Sequence, residues 1–145
     1  MAADPPLARR HAACVALAGR AVLIEGAPGA GKSRLAWQLL QRGAWLVGDD
    51  LVEISAAQGR LWARAPVTGK GLLEARGLGI FRLAGPGAAP VEAVLELVGG
   101  PPGDRLPEPA VEEILGVAIA RVRLPAEPMQ AMVVALNTLL LAREA

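Results

Sequence analysis

Two short stretches of this 145-residue chain carry residue types suited to handling phosphate: GAPGAGKS, Gly26 to Ser33, and LVGDD, which ends on Asp49 and Asp50. Gly26, Gly31, Lys32 and Ser33 match the spacing G-x-x-x-x-G-K-[ST], and the match stands where its mechanism requires, after an apolar strand-like segment and before a helical one. In such a loop the glycines let backbone N–H groups curl around an anion, and the following helix adds the partial positive charge of its N-terminus. Gly26, Ala27, Pro28, Gly29, Ala30, Gly31, Lys32 and Ser33 are therefore the candidate nucleotide cradle, with Lys32 as a point charge and the Ser33 hydroxyl as a ligand for Mg²⁺.

Asp49 and Asp50 end the strand expected after the phosphate-loop helix. Two carboxylates beside a nucleotide have two jobs available: one holds the metal while the other accepts a proton from an attacking hydroxyl. The alternative is a solvated acidic turn. A third stretch, GLLEARGLGIF, sets Glu74 and Arg76 into an otherwise apolar segment. Charges there are costly unless paired or engaged with a ligand. Glu74 suits a second metal contact and Arg76 a carboxylate or phosphate partner, while a simple Glu74–Arg76 pair on a loop explains them equally well.

The elements that must position these groups follow from periodicity. Ala13 to Leu17 and Ala21 to Ile24 flank Ala18-Gly19-Arg20 and read as a hairpin feeding the phosphate loop. A helix is expected from Lys32 to about Gln41, with Leu35, Ala36, Leu39 and Leu40 on one face. AWLVG reads as a buried strand, and further strands are expected at Leu51 to Ile54, Arg60 to Ala65, Leu78 to Leu83, Val91 to Val98 and Val117 to Leu124. Met129 to Arg143 reads as a closing helix with Met132, Val133, Leu136, Leu139 and Leu140 on one face. LAGPGAAP and VGGPPGDRLPEP read as loops. The expected class is α/β: a strand-rich mixed sheet with a phosphate-loop helix and a C-terminal helix, in a single domain spanning residues 1–145, with residues 1–10 flexible.

Composition narrows the functions. Fifteen basic and fourteen acidic residues leave a formal charge of +1, without the basic field that general nucleic-acid binding needs. The four aromatics, Trp37, Trp45, Trp62 and Phe81, are too scattered for a base-stacking platform. Although 53% of residues are hydrophobic, the longest apolar stretch, Met132 to Ala142, is too short to cross a bilayer. ARRHAACVALAG imitates a secretory signal but runs directly into the phosphate-loop strand. One cysteine, Cys14, offers no disulfide or metal pattern, reads as a small core residue, and suits a reducing, cytoplasmic setting.

The segment LLEARGLGI, following GAPGAGKS and LVGDD in that order, resembles the signature of the HPr kinase/phosphorylase family, in its phosphate-loop catalytic domain. The resemblance runs from about His11 to Leu124 and lacks the family's N-terminal domain, implying a short, stand-alone catalytic form with the fold shared by HPr kinases and phosphoenolpyruvate carboxykinases. It implies an ATP-using, Mg²⁺-dependent bacterial kinase that phosphorylates a serine of the phosphocarrier HPr, or of a related phosphotransferase-system carrier, and that assembles as a homo-oligomer, with no nucleic-acid or membrane partner. By that resemblance His11 sits near the transferred phosphate and Lys32 and Ser33 hold phosphate and metal. Asp49 and Asp50 contain the general base, with Asp50 the first choice, Glu74 is a metal ligand, and Arg105 acts at the phosphate. One departure stands out: where longer members carry an RPGRN loop associated with the phosphorylase direction, this chain reads PAEPMQA, Pro125 to Ala131, with Glu127 adding a negative charge. That argues against phosphorylase activity. The rival readings are a P-loop kinase acting on a small metabolite, for which the chain has no Arg-rich lid segment, and a non-catalytic ATP-binding sensor.

Overall fold

The computed structural model describes residues 7–66, 72–75, 79–82, 87–98, 110–124 and 127–141, with 72–75 and 79–82 described by their backbone alone. Arg76 and Arg105 lie outside these residues. Among the described residues, eleven strands and two helices follow one another as β1 (Leu7–Arg10), β2 (Ala13–Leu17), β3 (Arg20–Gly26), α1 (Lys32–Leu40), β4 (Trp45–Gly48), β5 (Val52–Ala57), β6 (Arg60–Arg64), β7 (Leu72–Ala75), β8 (Gly79–Arg82), β9 (Ala88–Leu97), β10 (Ala110–Ile114), β11 (Val117–Leu124) and α2 (Pro128–Leu140).

Three of the connections are two-residue hairpins of one chemistry. Ala18-Gly19, Gln58-Gly59 and Leu115-Gly116 each join antiparallel partners, and all six residues take positive φ, between 49° and 79°. Turns of this hand match the twist of the strands they join, and a glycine at the second position adopts the required conformation without a steric cost.

The main sheet runs β1-β5-β6-β9-β3-β2-β4, with β10 and β11 branching from β9. β9 is the fork: its first residues, 88–90, pair antiparallel with β6, while residues 93–97 pair parallel with β11. Along its other edge it pairs parallel with β3. Three parallel strands, β3, β9 and β11, therefore end side by side. In open sheets with parallel strands, ligands gather beyond such carboxyl ends.

Both faces of the central strands are buried, which is why their sequences read as continuous apolar runs. Ala13, Val15, Val22, Ile24, Ala93 and Leu95 pack with Leu35, Ala36 and Leu39 of α1 and with Met132, Ala135 and Leu139 of α2. Cys14, Ala16, Ala21, Leu23, Val91 and Val94 face the opposite way, onto Val52, Ile54, Leu61 and Ala63 of β5 and β6. Cys14 is a fully buried member of that second layer, and burial pushes its thiol pKa far up.

Four expectations are corrected. Leu7–Arg10, expected to be flexible, is a strand paired antiparallel with β5 from Leu7↔Ser55 to Arg10↔Val52. Its polar sequence hides this because the strand β5 that it pairs with and the Glu25 and Glu112 carboxylates that hold Arg10 belong to other elements. β7 and β10 are strands that apolar patterning did not reveal, since Glu74, Glu112 and Glu113 interrupt them. β9 begins at Ala88, inside the stretch read as a loop, because Ala88 and Pro90 sit where the strand meets β6. The buried stripe of α2 is Ala131, Met132, Ala135 and Leu139, whereas Val133 and Leu140 are exposed. The two alanines let the helix lie close to the sheet.

Glu127, which gives the 125–131 segment its negative charge, has a structural employment. It is the N-cap of α2, accepting hydrogen bonds from the Met129 and Gln130 N–H groups at 3.1 and 2.8 Å, with Pro128 in the first turn. A carboxylate there satisfies otherwise unpaired donors and complements the helix dipole.

Candidate active site

β3 delivers the phosphate loop and α1 receives it. At the strand end Gly26 must be glycine for want of space: a Cβ there would lie 2.8 Å from the Leu97 carbonyl oxygen and 3.1 Å from Ala30 Cβ. β3 and β9 can thus approach closely just where the chain turns. α1 starts at Gly31, in the left-handed region at φ 105°, with no side chain capping the helix. An N-terminus without a side-chain cap keeps its first-turn N–H groups available to an anion.

Lys32 Nζ donates to the Gly26 carbonyl at 2.7 Å and stands 3.5 Å from that of Ala27. The lysine is folded back over its own loop. Ser33 Oγ donates to Asp49 Oδ1 at 3.0 Å. That contact joins the start of α1 to the end of β4 and sets two hard oxygen donors side by side. Mg²⁺ commonly takes one or two protein oxygens and completes its shell with phosphate and water. The Ser33–Asp49 pair fits that demand, and among the described residues no larger group of His, Cys, Asp or Glu offers a rival site.

Asp50 has a different setting. It is exposed, adopts φ 70°, and lies at the centre of a tight turn closed by the Leu51 N–H on the Asp49 carbonyl at 2.8 Å. Its own carbonyl accepts the Ala12 N–H at 3.2 Å. This bond pins the residue after His11 to the acidic turn. His11 itself is exposed and lines a cleft of about 590 Å³ together with Gly26 and Ala27. The structure therefore brings His11, Lys32, Ser33, Asp49 and Asp50 to one end of the sheet. Glu74 is carried by β7, paired antiparallel with β8, and that hairpin lies next to α1 and β4.

Sequence reasoning missed the other wall of the cleft. Glu25, Glu96, Arg121 and Arg123 line it from the ends of β3, β9 and β11. Behind them lies a network of ion pairs. Arg10 grips Glu25 with two N–H groups, Nε at 2.8 Å and Nη2 at 3.0 Å, and reaches Glu112 through Nη1 at 2.7 Å. Arg121 donates to Glu96 at 3.1 Å, to Glu25 at 3.0 Å and to Glu112 at 2.9 Å. The hydrogen bonds that Arg10 donates to Glu25 and Glu112 raise its pKa well beyond its ordinary value. Burial alone would lower that of Arg121, but the bonds and charges of Glu25, Glu96 and Glu112 outweigh it, and the net change is upward. Glu112 is held below the usual carboxylate range, chiefly by the Arg10 hydrogen bond. The signal available in sequence was slight: Glu25 is a charge at the end of a buried strand, immediately before the loop.

With this geometry in place, comparison with known proteins is decisive. The family model described as the HPr Serine kinase C-terminal domain matches residues 5–93. The chain belongs to that family. The HPr kinase/phosphorylase of Mycoplasma mycoides subsp. mycoides is 32% identical over 141 residues, covering 88% of this chain and 45% of the relative. That of Clostridium tetani is 43% identical over 76 residues, or 52% of this chain and 25% of the relative. The chain thus spans between a quarter and less than half of these curated relatives. A solved structure described as the Hpr(Ser) kinase/phosphatase from Coxiella burnetii superposes with a TM-score of 0.76 over 90% of this chain and 94% of that one, at 23% identity, and so shares the HPr kinase domain fold. The candidate phosphate loop, the acidic pair and the β7–β8 hairpin that carries Glu74 all lie within the span matched by the family model.

Proposed function

We propose that the domain is an ATP- and Mg²⁺-dependent protein-serine kinase whose acceptor is the phosphocarrier HPr or a related phosphotransferase-system carrier, acting in the cytoplasm as a homo-oligomer. The observation that carries this reading is the 3.0 Å Ser33–Asp49 contact beside Lys32 at the uncapped start of α1, because phosphoryl transfer needs a charge-neutralising cradle more than covalent help.

In this reading the N–H groups of residues 26–33 and the Lys32 ammonium bind the phosphates, and Ser33 and Asp49 hold Mg²⁺. The ion supplies charge neutralisation on the phosphate oxygens. The carrier's serine hydroxyl approaches in line with the bond to the leaving oxygen. Asp50, exposed and without a side-chain partner among the described residues, takes the serine proton on a carboxylate oxygen. His11 closes the acceptor side of the cleft, and Glu74 and Arg105 add a metal contact and a phosphate contact. Glu127, committed to capping α2, stands where a cationic loop would otherwise serve the reverse reaction, so little phosphorolysis is expected.

The direct test is phosphotransfer from radiolabelled ATP to purified HPr-like carriers with Mg²⁺, comparing the native protein with Lys32→Ala. Label on a carrier serine that requires Lys32 is the expected result. ATP binding with no labelled carrier would overturn the kinase reading and favour a sensor or a small-metabolite kinase.

A further inference from the structure

Glu25 and Glu96 are direct cross-strand neighbours, one residue before the close approach of Gly26 to Leu97. Two carboxylates in that relation repel each other. They are tolerated because Arg121 bonds both, and because Arg10 adds a two-pronged grip on Glu25. Glu25 is the focus of the cluster: its side chain is only 13% exposed and it accepts hydrogen bonds from three guanidinium N–H groups. Fork geometry of this kind restrains position as well as contributing energy.

The location gives that restraint a target. Glu25 immediately precedes the phosphate loop, and Arg10 immediately precedes His11. The fork joins the ends of β3 and β1, so it sets the spacing between the loop and the cleft wall that His11 occupies. We propose that Glu25, locked by Arg10 and Arg121, is a positioning residue for the phosphate loop, and that MgATP affinity depends on this lock. The inference rests on reading residues 26–33 as the ATP site.

Charge and position make opposite forecasts, which makes the inference testable. Glu25→Gln removes a negative charge beside a polyanion site, and on charge alone MgATP should bind more tightly. If Glu25 positions the loop, binding weakens instead. Groups that orient a site's direct contacts change affinity by about 10- to 100-fold when removed, and about tenfold is expected here. Arg121→Lys keeps the charge but replaces a fork that spans several carboxylates with a point charge, and a weakening of a few-fold is expected.

Isothermal titration with MgATP, run beside thermal unfolding, on the native protein, Glu25→Gln, Arg121→Lys and the control Glu53→Gln is the experiment. Glu53 pairs with Arg9 and Arg64 outside the cluster and should leave affinity unchanged. Weaker binding by folded Glu25→Gln supports the inference. Native or tighter affinity overturns it, as does a lowered melting temperature with unchanged affinity, which marks a structural role alone. Should Glu25→Gln not fold, native affinity in Arg121→Lys overturns it equally. A native protein that binds no MgATP removes the ATP-site reading and this inference together, whereas native binding with an insensitive Glu25 removes the inference alone.

Discussion

The two walls of the phosphate end were built from different sequence distances. On one, Ser33 meets Asp49 across 16 positions and Lys32 meets Gly26 across 6. On the other, short and long separations are mixed: Arg10 meets Glu25 across 15 positions but Glu112 across 102, and Arg121 meets Glu112 across 9 but Glu25 across 96. The first wall is a strand–loop–helix–strand unit whose residues converge through local backbone geometry. The second exists only once β1, β3, β9, β10 and β11 have found their partners. The groups proposed to touch the nucleotide are concentrated in the local unit, while those proposed to hold that unit in place come from five strands spread along the chain.

The largest effects should come from the local wall. Lys32→Ala is expected to lower phosphotransfer by at least about 100-fold, since it removes the charge that faces the phosphates, and the labelling assay checks this. Asp49 and Asp50 can be separated there too. Asp49→Asn should raise the Mg²⁺ concentration needed for half-maximal rate, whereas Asp50→Asn should lower the rate at saturating Mg²⁺; the reverse pattern would exchange their roles. Where the two walls meet, Gly26→Ala should destabilise the fold by about 1–3 kcal/mol in urea titration, because its methyl meets the Leu97 carbonyl, and an unchanged midpoint would mean the strands can part.

Smaller effects sharpen the contrast. Glu127→Ala should cost about 1 kcal/mol of stability through the lost cap of α2, with phosphotransfer to the carrier retained. On the long-range wall, Glu112 carries a folded-state pKa below its ordinary value of 4.5. The stability it contributes is complete above that value and is lost as pH falls through the lowered one. Glu112→Gln should therefore reduce stability at neutral pH and flatten the acid limb of a denaturation profile. An unchanged acid limb would show that the Arg10–Glu112 pair adds nothing measurable.

The difference in sequence distance also explains what could be read in advance. The hairpin around Ala18-Gly19, the helix from Lys32 and the carboxylates ending β4 were legible because short-range rules govern them: a positive-φ turn, an apolar stripe and a loop of fixed spacing. Leu7–Arg10 was not, because Arg10 looks like an exposed terminal charge until Glu25 and Glu112 are beside it. Nor was the exposed face of α2. Val133 and Leu140 satisfy a helical apolar pattern as well as Ala135 does, and only the sheet's position selects the alanine stripe.

By itself, then, the chain's sequence determined a phosphate loop with its lysine and hydroxyl, an acidic pair one strand later, and a family signature in the segment that includes β7 and β8. Each depends on backbone conformations that neighbouring residues impose. The tertiary structure alone decided that β9 serves both β6 and β11, that three parallel strands end beside the loop, and that two arginines and two further glutamates gather with Glu25. Parallel partners are joined by long connections whose length does not specify register. Which charges become neighbours is therefore settled by packing of the two apolar layers, not by spacing along the chain.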